Sequence, residues 1–150
     1  MRVLISPAAF PGMLTAVQAA EAMAEGWRRR APGDDLTLAP LSAGGPGFLS
    51  VLATAVGGVS VATTVSDPLG RDVPASLLLV EDAPGVRTAY IEAAQANGLH
   101  LLAADERRPL VTSSFGVGQL VRAALEEGVS RIILRYLLLE DHVVLLQYHK

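Results

Sequence analysis

The sequence predicts an α/β protein with a mixed sheet. An N-terminal β-α-β-α unit spans residues 1–58, and an antiparallel β-meander, a helix and a C-terminal strand pair follow over residues 59–150. Three observations carry this prediction. The first 27 residues read as strand, loop and helix. Residues 59–91 hold three apolar runs separated by tight-turn signals, and strands joined so tightly must run antiparallel. Residues 113–150 place one helical pattern ahead of two apolar runs.

Taken in order, Val3, Leu4 and Ile5 form an apolar run short enough for a buried strand. Pro7, Pro11 and Gly12 make its continuation a loop. Thr15 opens a helix. Its hydroxyl can accept from a free backbone N–H while Gln18 reaches back, which is a capping box. Val17, Ala20, Ala24, Trp27 and Ala31 share one helical stripe and are expected to face inward. Glu25 and Arg29 sit outside at the favourable i,i+4 spacing. Arg28-Arg29-Arg30 reads as an anion patch or as cations complementing the negative helix end, and the second reading is the simpler. Gly33, Asp34 and Asp35 turn the chain into a second strand through Leu36 and Leu38, with Leu41 a candidate third member.

Gly44, Gly45 and Gly47 form a glycine-rich loop before a helix through Phe48, Leu49, Leu52 and Val56, which Gly57 and Gly58 stop. Such a loop can cradle phosphate with backbone N–H groups. This one lacks a Walker lysine and hydroxyl, and Pro46 offers no N–H, so a plain turn is the competing reading. Val59, Val61, Thr63 and Val65 then alternate as a half-buried strand does. Asp67-Pro68-Leu69-Gly70 is a strong β-turn signal. Val73 to Val80 returns, Asp82-Ala83-Pro84-Gly85 turns again, and Val86 to Ile91 is the third strand. Ser113 or Ser114 can cap a helix from about Gly116 to Glu127, with Leu120, Val121, Ala124 and Leu125 inward. Residues 131–150 read as two apolar strands around a turn near Glu140 and Asp141.

Composition narrows the function. A net charge of −3 is poor equipment for nucleic acid or an anionic membrane, so neither is an expected partner. With no cysteine, disulfides and thiolate catalysis are excluded. The N-terminal apolar run breaks at Pro7, which predicts no signal peptide, and no apolar run approaches the roughly 20 residues of a membrane span. A cytoplasmic location is expected. His100, His142 and His149 show no metal-ligand spacing, so no metal site is expected. In α/β proteins the loop after the first strand is where ligands usually bind. Here that loop, Pro7 to Met13, holds no acid, base, hydroxyl or amide side chain.

Five segments in order resemble a bacterial glycerate kinase of the glycerate-kinase-I family. Pro7-Ala8-Ala9-Phe10-Pro11-Gly12-Met13-Leu14 is similar to the family's P-D-S-F-K-G-S-L, and Ser42 to Phe48 to its A-D-G-G-E-G-T. Asp67 to Arg71 matches a G-P-L-G-R turn, and Ile91 to Leu99 an I-E-M-A-E-A-S-G-L segment. ERRPLVTSSFGVGQLV (106–121) matches E-R-N-P-L-V-T-T-T-Y-G-T-G-E-L-I. The resemblance runs to about residue 134, where Arg135-Tyr136-Leu137 replaces the family's G-G-S-A-T-N-D-G-G. Against the family pattern, Ala8, Ala9, Pro11, Met13, Ala43, Pro46 and Phe48 replace acids, hydroxyls and a lysine, and Gln95 and Gln119 replace glutamates.

The resemblance implies a single truncated glycerate-kinase-like domain over residues 1–150. Its carried-over substrate- or nucleotide-binding positions are Gly12, Gly44, Gly45, Gly47, Glu92, Thr112, Ser113, Ser114, Gly116 and Gly118. No catalytic residue is assigned, because phosphoryl transfer rests on positioned cations and metal-bound carboxylates. The expected role is non-catalytic: a remnant, a binding module or a scaffold. The alternative is a kinase that transfers phosphate from Mg-ATP to D-glycerate, alone or with a partner supplying the missing half. Glu92, Thr112 to Ser114, Gly116 and Gly118 support it, although cap and turn duties also account for the hydroxyls and glycines. A C-terminal strand left at a sheet edge is sticky, which predicts a homodimer paired edge to edge.

Overall fold

Two sheets, rather than one, organise the chain. The structure is a computed structural model that describes residues 1–136 and 143–146. The first sheet is the parallel pair β1 (Arg2–Ile5) and β2 (Asp35–Leu38), joined through α1 (Ala16–Arg30). The second has five strands in sequential order: β3 (Val59–Ser66), β4 (Asp72–Ala83), β5 (Val86–Glu92), β6 (Arg131–Arg135) and β7 (Val143–Leu146). Between the sheets in sequence lies α2 (Phe48–Val56). The crossover from β5 to β6 carries α3 (Ala94–Asn97), two 3₁₀ turns and α4 (Phe115–Glu126).

The mixed sheet follows from connection lengths. Tight turns join β3, β4 and β5 antiparallel, and the long helical crossover makes β5 and β6 parallel. In the first turn the Gly70 N–H donates to the Asp67 carbonyl at 3.0 Å. The second turn is shorter than the sequence suggests. β4 continues to Ala83, a register shift falls between Glu81 and Ala83, and the tip is Pro84-Gly85. β7 pairs antiparallel with β6, as expected of a strand pair. The turn expected near Glu140 and Asp141 lies outside the described residues.

One face of the large sheet carries the main core. Val65, Leu77, Leu79, Ala89, Ile91, Ile132 and Leu134 pack there against Val117, Leu120 and Ala124 of α4. The other face receives α2 through Leu49, Leu78 and Val80. A small separate cluster, Ile5, Ala20 and Ala24 with Val3, Leu36 and Leu38 around it, joins α1 to the parallel pair.

Four expectations are corrected. β1 is not buried on both faces: Leu4 stays 66% exposed, because α1 covers only one side of the pair. The buried face of α1 is Ala16, Ala19, Ala20 and Ala24 rather than the Val17–Trp27–Ala31 stripe. Trp27 turns outward enough for its indole N–H to donate to Asp34 at 2.9 Å. Leu41 lies beyond β2 and is exposed. On α4, Val117 points inward and Leu125 outward, since helical spacing through Leu120 and Ala124 favours 117 over 125.

Candidate functional site

The loops after β1, β2 and β5 converge. After β1, residues 10–14 close a small turn in which the Met13 and Leu14 N–H groups donate to the Phe10 carbonyl. Gly12 takes a φ of 73°, which favours glycine. Phe10, Met13 and Leu14 are exposed. This turn, with Thr15, Gln18, Pro46 and Gly47, borders a cavity of about 340 Å³. Thr15 and Gln18 form the expected capping box, so both side chains already serve α1.

The glycine loop is filled by the protein's own groups. Glu92 stands at the end of β5 and is 5% exposed. Its two carboxylate oxygens accept from the N–H groups of Gly47 and Leu49, each at 3.1 Å. These are free donors at the start of α2, where partial positive charge gathers, so a carboxylate fits there as well as a phosphate would. Burial pushes the Glu92 carboxyl above its ordinary range, and the N–H groups of Leu49, Gly47 and Phe48 with the charge of His100 oppose that rise. Gly44 has a φ of 93°, and a Cβ on it would overlap the Arg135 side chain. Arg135 Nη2 reaches the Ala43 carbonyl at 3.4 Å, while Arg135 Nε is buried without a partner among the described residues. Glu92 and Arg135 are register partners on β5 and β6, and between them they hold the two ends of the loop.

The remaining predicted positions divide. Thr112, Ser113 and Ser114 line a hollow of about 210 Å³ with Asn97, Leu99 and Tyr136. Backbone bonds fix this segment: the Ser113 N–H donates to the Pro68 carbonyl, and the Ser113 hydroxyl accepts from Phe115 N–H. Ser114 occupies the N-cap position of α4 without a side-chain capping bond. Gly116 packs where a Cβ would collide with the Ser66 carbonyl oxygen, and Gly118 faces open space. Neither glycine borders the cavities around the loops.

Sequence reasoning missed the anchor beside this segment. Asp67 is 2% exposed and accepts from Leu69 N–H, Arg71 N–H and Arg71 Nε. Arg71 also pairs with Glu106, tying the β3–β4 turn to the crossover. Burial raises the Asp67 carboxyl, but the hydrogen bonds and charge of Arg71 with the Leu69 N–H outweigh it, and the carboxyl lies below its ordinary range. The glutamines have duties too. Gln95 accepts from Ser76 N–H and donates to the Ser76 carbonyl, taking over the β4 ladder where β5 has ended. Gln119 accepts from Ser66 N–H at 2.7 Å.

For phosphate and a divalent cation the donor set is thin. Among the described residues no group of three or more His, Asp or Glu is placed to hold a metal. The sequence has a single lysine, Lys150, far along the chain from the loops. No helix among the described residues is long and apolar enough to cross a membrane.

Comparison with known proteins places this architecture. The glycerate kinase family matches residues 3–135. Glycerate kinase of Bacillus subtilis strain 168 is 40% identical over 134 residues, covering 89% of this chain and 34% of the relative. Glycerate 2-kinase of Escherichia coli K12 is 37% identical over the same shares of both chains. A crystal structure from Salmonella typhimurium LT2, provisionally assigned as glycerate kinase 2, superposes with a TM-score of 0.70 at 38% identity, over 90% of this chain and 35% of that one. The chain thus spans about a third of the length of the curated relatives it matches. By sequence and by fold, it belongs to the glycerate kinase family.

Proposed function

We propose that residues 1–150 act as a non-catalytic domain of the glycerate kinase family, with a binding or scaffolding role. One observation carries this reading: the turn after β1 that borders the cavity of about 340 Å³ offers no charged or hydroxyl side chain between Pro7 and Met13. The N–H donors at the start of α2 are already taken by Glu92, the glutamate that the family's segment also carries. Phosphoryl transfer requires cations or metal to neutralise the transferring group, and removing one such contact commonly costs several kcal/mol of transition-state stabilisation. In this reading Gly12, Gly44, Gly45 and Gly47 shape the loops, and Glu92 caps α2.

The test is turnover. The full chain with Mg-ATP and D-glycerate is expected to form phosphoglycerate only at the background rate, followed by ³¹P NMR. Turnover above background in the purified chain overturns the reading.

A second reading keeps the kinase. Thr112, Ser113 and Ser114 border an open hollow, and relatives that carry the name glycerate kinase match this chain over a third of their length. On this reading Mg-ATP and D-glycerate are substrates, and a partner chain supplies the remaining two thirds. Turnover that appears only when a separate chain spanning those two thirds is added decides for it. Edge-to-edge homodimerisation through β7, the last strand of the large sheet, is a further proposal. A monomer in light scattering at high concentration overturns it.

A further inference from the structure

Beyond the glycine loop lies a hollow of about 370 Å³, within the size range of small-molecule sites. Pro46, Ala94 and Leu99 supply apolar wall, and Asn97, His100 and Tyr136 supply the polar groups. The hollow that reaches Thr112 shares Asn97, Leu99 and Tyr136, so the Tyr136 side chain borders both. Tyr136 lies one residue past the family match.

The polar chemistry is specific. Asn97 Nδ2 donates to the Tyr136 hydroxyl oxygen. Among the described residues, that bond leaves the amide carbonyl, the second amide hydrogen and the phenolic hydrogen for a ligand. No Asp, Glu, Lys or Arg side chain borders the hollow among the described residues. Glu92 is turned to the α2 donors. An aromatic ring beside a paired donor and acceptor, in a hollow whose other polar group among the described residues is the His100 imidazole, suits a flat neutral ring with an amide-like edge.

We propose that this hollow binds an uncharged planar heterocycle, stacked on Tyr136 and hydrogen-bonded along the Asn97 amide edge. The proposal goes beyond the functional reading above and does not depend on it. The probes below carry no phosphate to transfer, so failure here and failure of that reading are separate results.

Calorimetric titration of the full chain with nicotinamide, and separately with adenosine, tests it. Both are expected to bind. Tyr136→Leu is expected to weaken both by roughly ten- to a hundredfold, the scale of one lost ring stack. Asn97→Leu is expected to weaken both as well. If Tyr136→Leu does not fold, Tyr136→Phe serves: it keeps the ring and should keep binding within a few-fold, while Asn97→Ser still weakens it. Adenosine 5′-phosphate should bind no tighter than adenosine, since no Lys or Arg side chain borders the hollow among the described residues. The proposal is overturned if neither probe binds at millimolar concentration, if binding ignores the Asn97 and Tyr136 substitutions, or if the phosphate tightens binding tenfold.

Discussion

The two sheets of this protein differ in what holds them. Among the described residues, the five-stranded sheet, α3 and α4 share one cluster of fourteen buried residues. The parallel pair and α1 share a cluster of three, and two of those are alanines. Apolar burial scales with area, so most of the stabilisation lies in the large sheet. The small unit leans on discrete polar ties. They are the Thr15 capping box and the bonds of the Met1 amino group and Trp27 to Asp34. Its loops therefore keep their shape through backbone geometry and a few hydrogen bonds. A segment built this way opens more readily than a packed core.

That contrast can be broken at several points. Leu120 is fully buried, and Leu120→Ala should cost about 3–5 kcal/mol and unfold the whole molecule at lower urea. Ile5→Ala should cost about 2–3 kcal/mol and act on the small unit. Trp27, the only tryptophan, reports on α1 alone. Its emission should change at lower urea than the far-UV circular dichroism, and coincident curves would show that the two units unfold as one.

Next in size, Asp67→Asn should cost about 2–3 kcal/mol, because the neutral amide loses the ion pair with Arg71 and turns an NH₂ towards donors that the buried carboxylate now accepts from. Glu92→Gln should cost about 1–2 kcal/mol, since one of the two α2 donors then meets an amide NH₂. The two respond to pH with opposite signs. Asp67 is held below its ordinary range, so its contribution is present above the unfolded pKa and is lost as pH falls through the folded one. Glu92 is pushed up, so its contribution is greatest below the unfolded pKa and declines as pH rises through the folded one. Urea titrations across the acid range should therefore show the penalty of Asp67→Asn growing with pH and that of Glu92→Gln shrinking. Equal slopes would place the two carboxylates in similar surroundings and undo the comparison.

The smaller effects lie on α1. Thr15→Ala should cost about 1 kcal/mol by removing the N-cap acceptor. Arg29→Ala should change stability by less than about 0.5 kcal/mol, because both partners of its pair with Glu25 are exposed. Thermal melts separate the two, and a larger loss at Arg29 than at Thr15 would mean that surface charge matters more to α1 than its cap.

Much of the architecture was legible along the chain. Alternation and turn signals located β3, β4 and β5, and Thr15 with Gln18 marked the start of α1. The glycine loop and the Thr112 to Ser114 segment were also readable as motifs. Their duties were not. Gly116 reads as a loop glycine until the Ser66 carbonyl is seen beside it, and Asp67 reads as a turn residue until Arg71 and Glu106 close around it.

Determined by the sequence alone were the local choices: which segments become strands or helices, where they cap and turn, and which family they resemble. These depend on side-chain periodicity and on contacts within a few residues. Only the tertiary structure decided that the strands split into two sheets, that Glu92 occupies donors 45 residues away at Gly47, and that Asn97 meets Tyr136 beside one hollow. Each of these pairs residues far apart in the chain. The free energy of such a meeting comes from desolvation and hydrogen-bond geometry, and those exist only once the sheets and helices have packed.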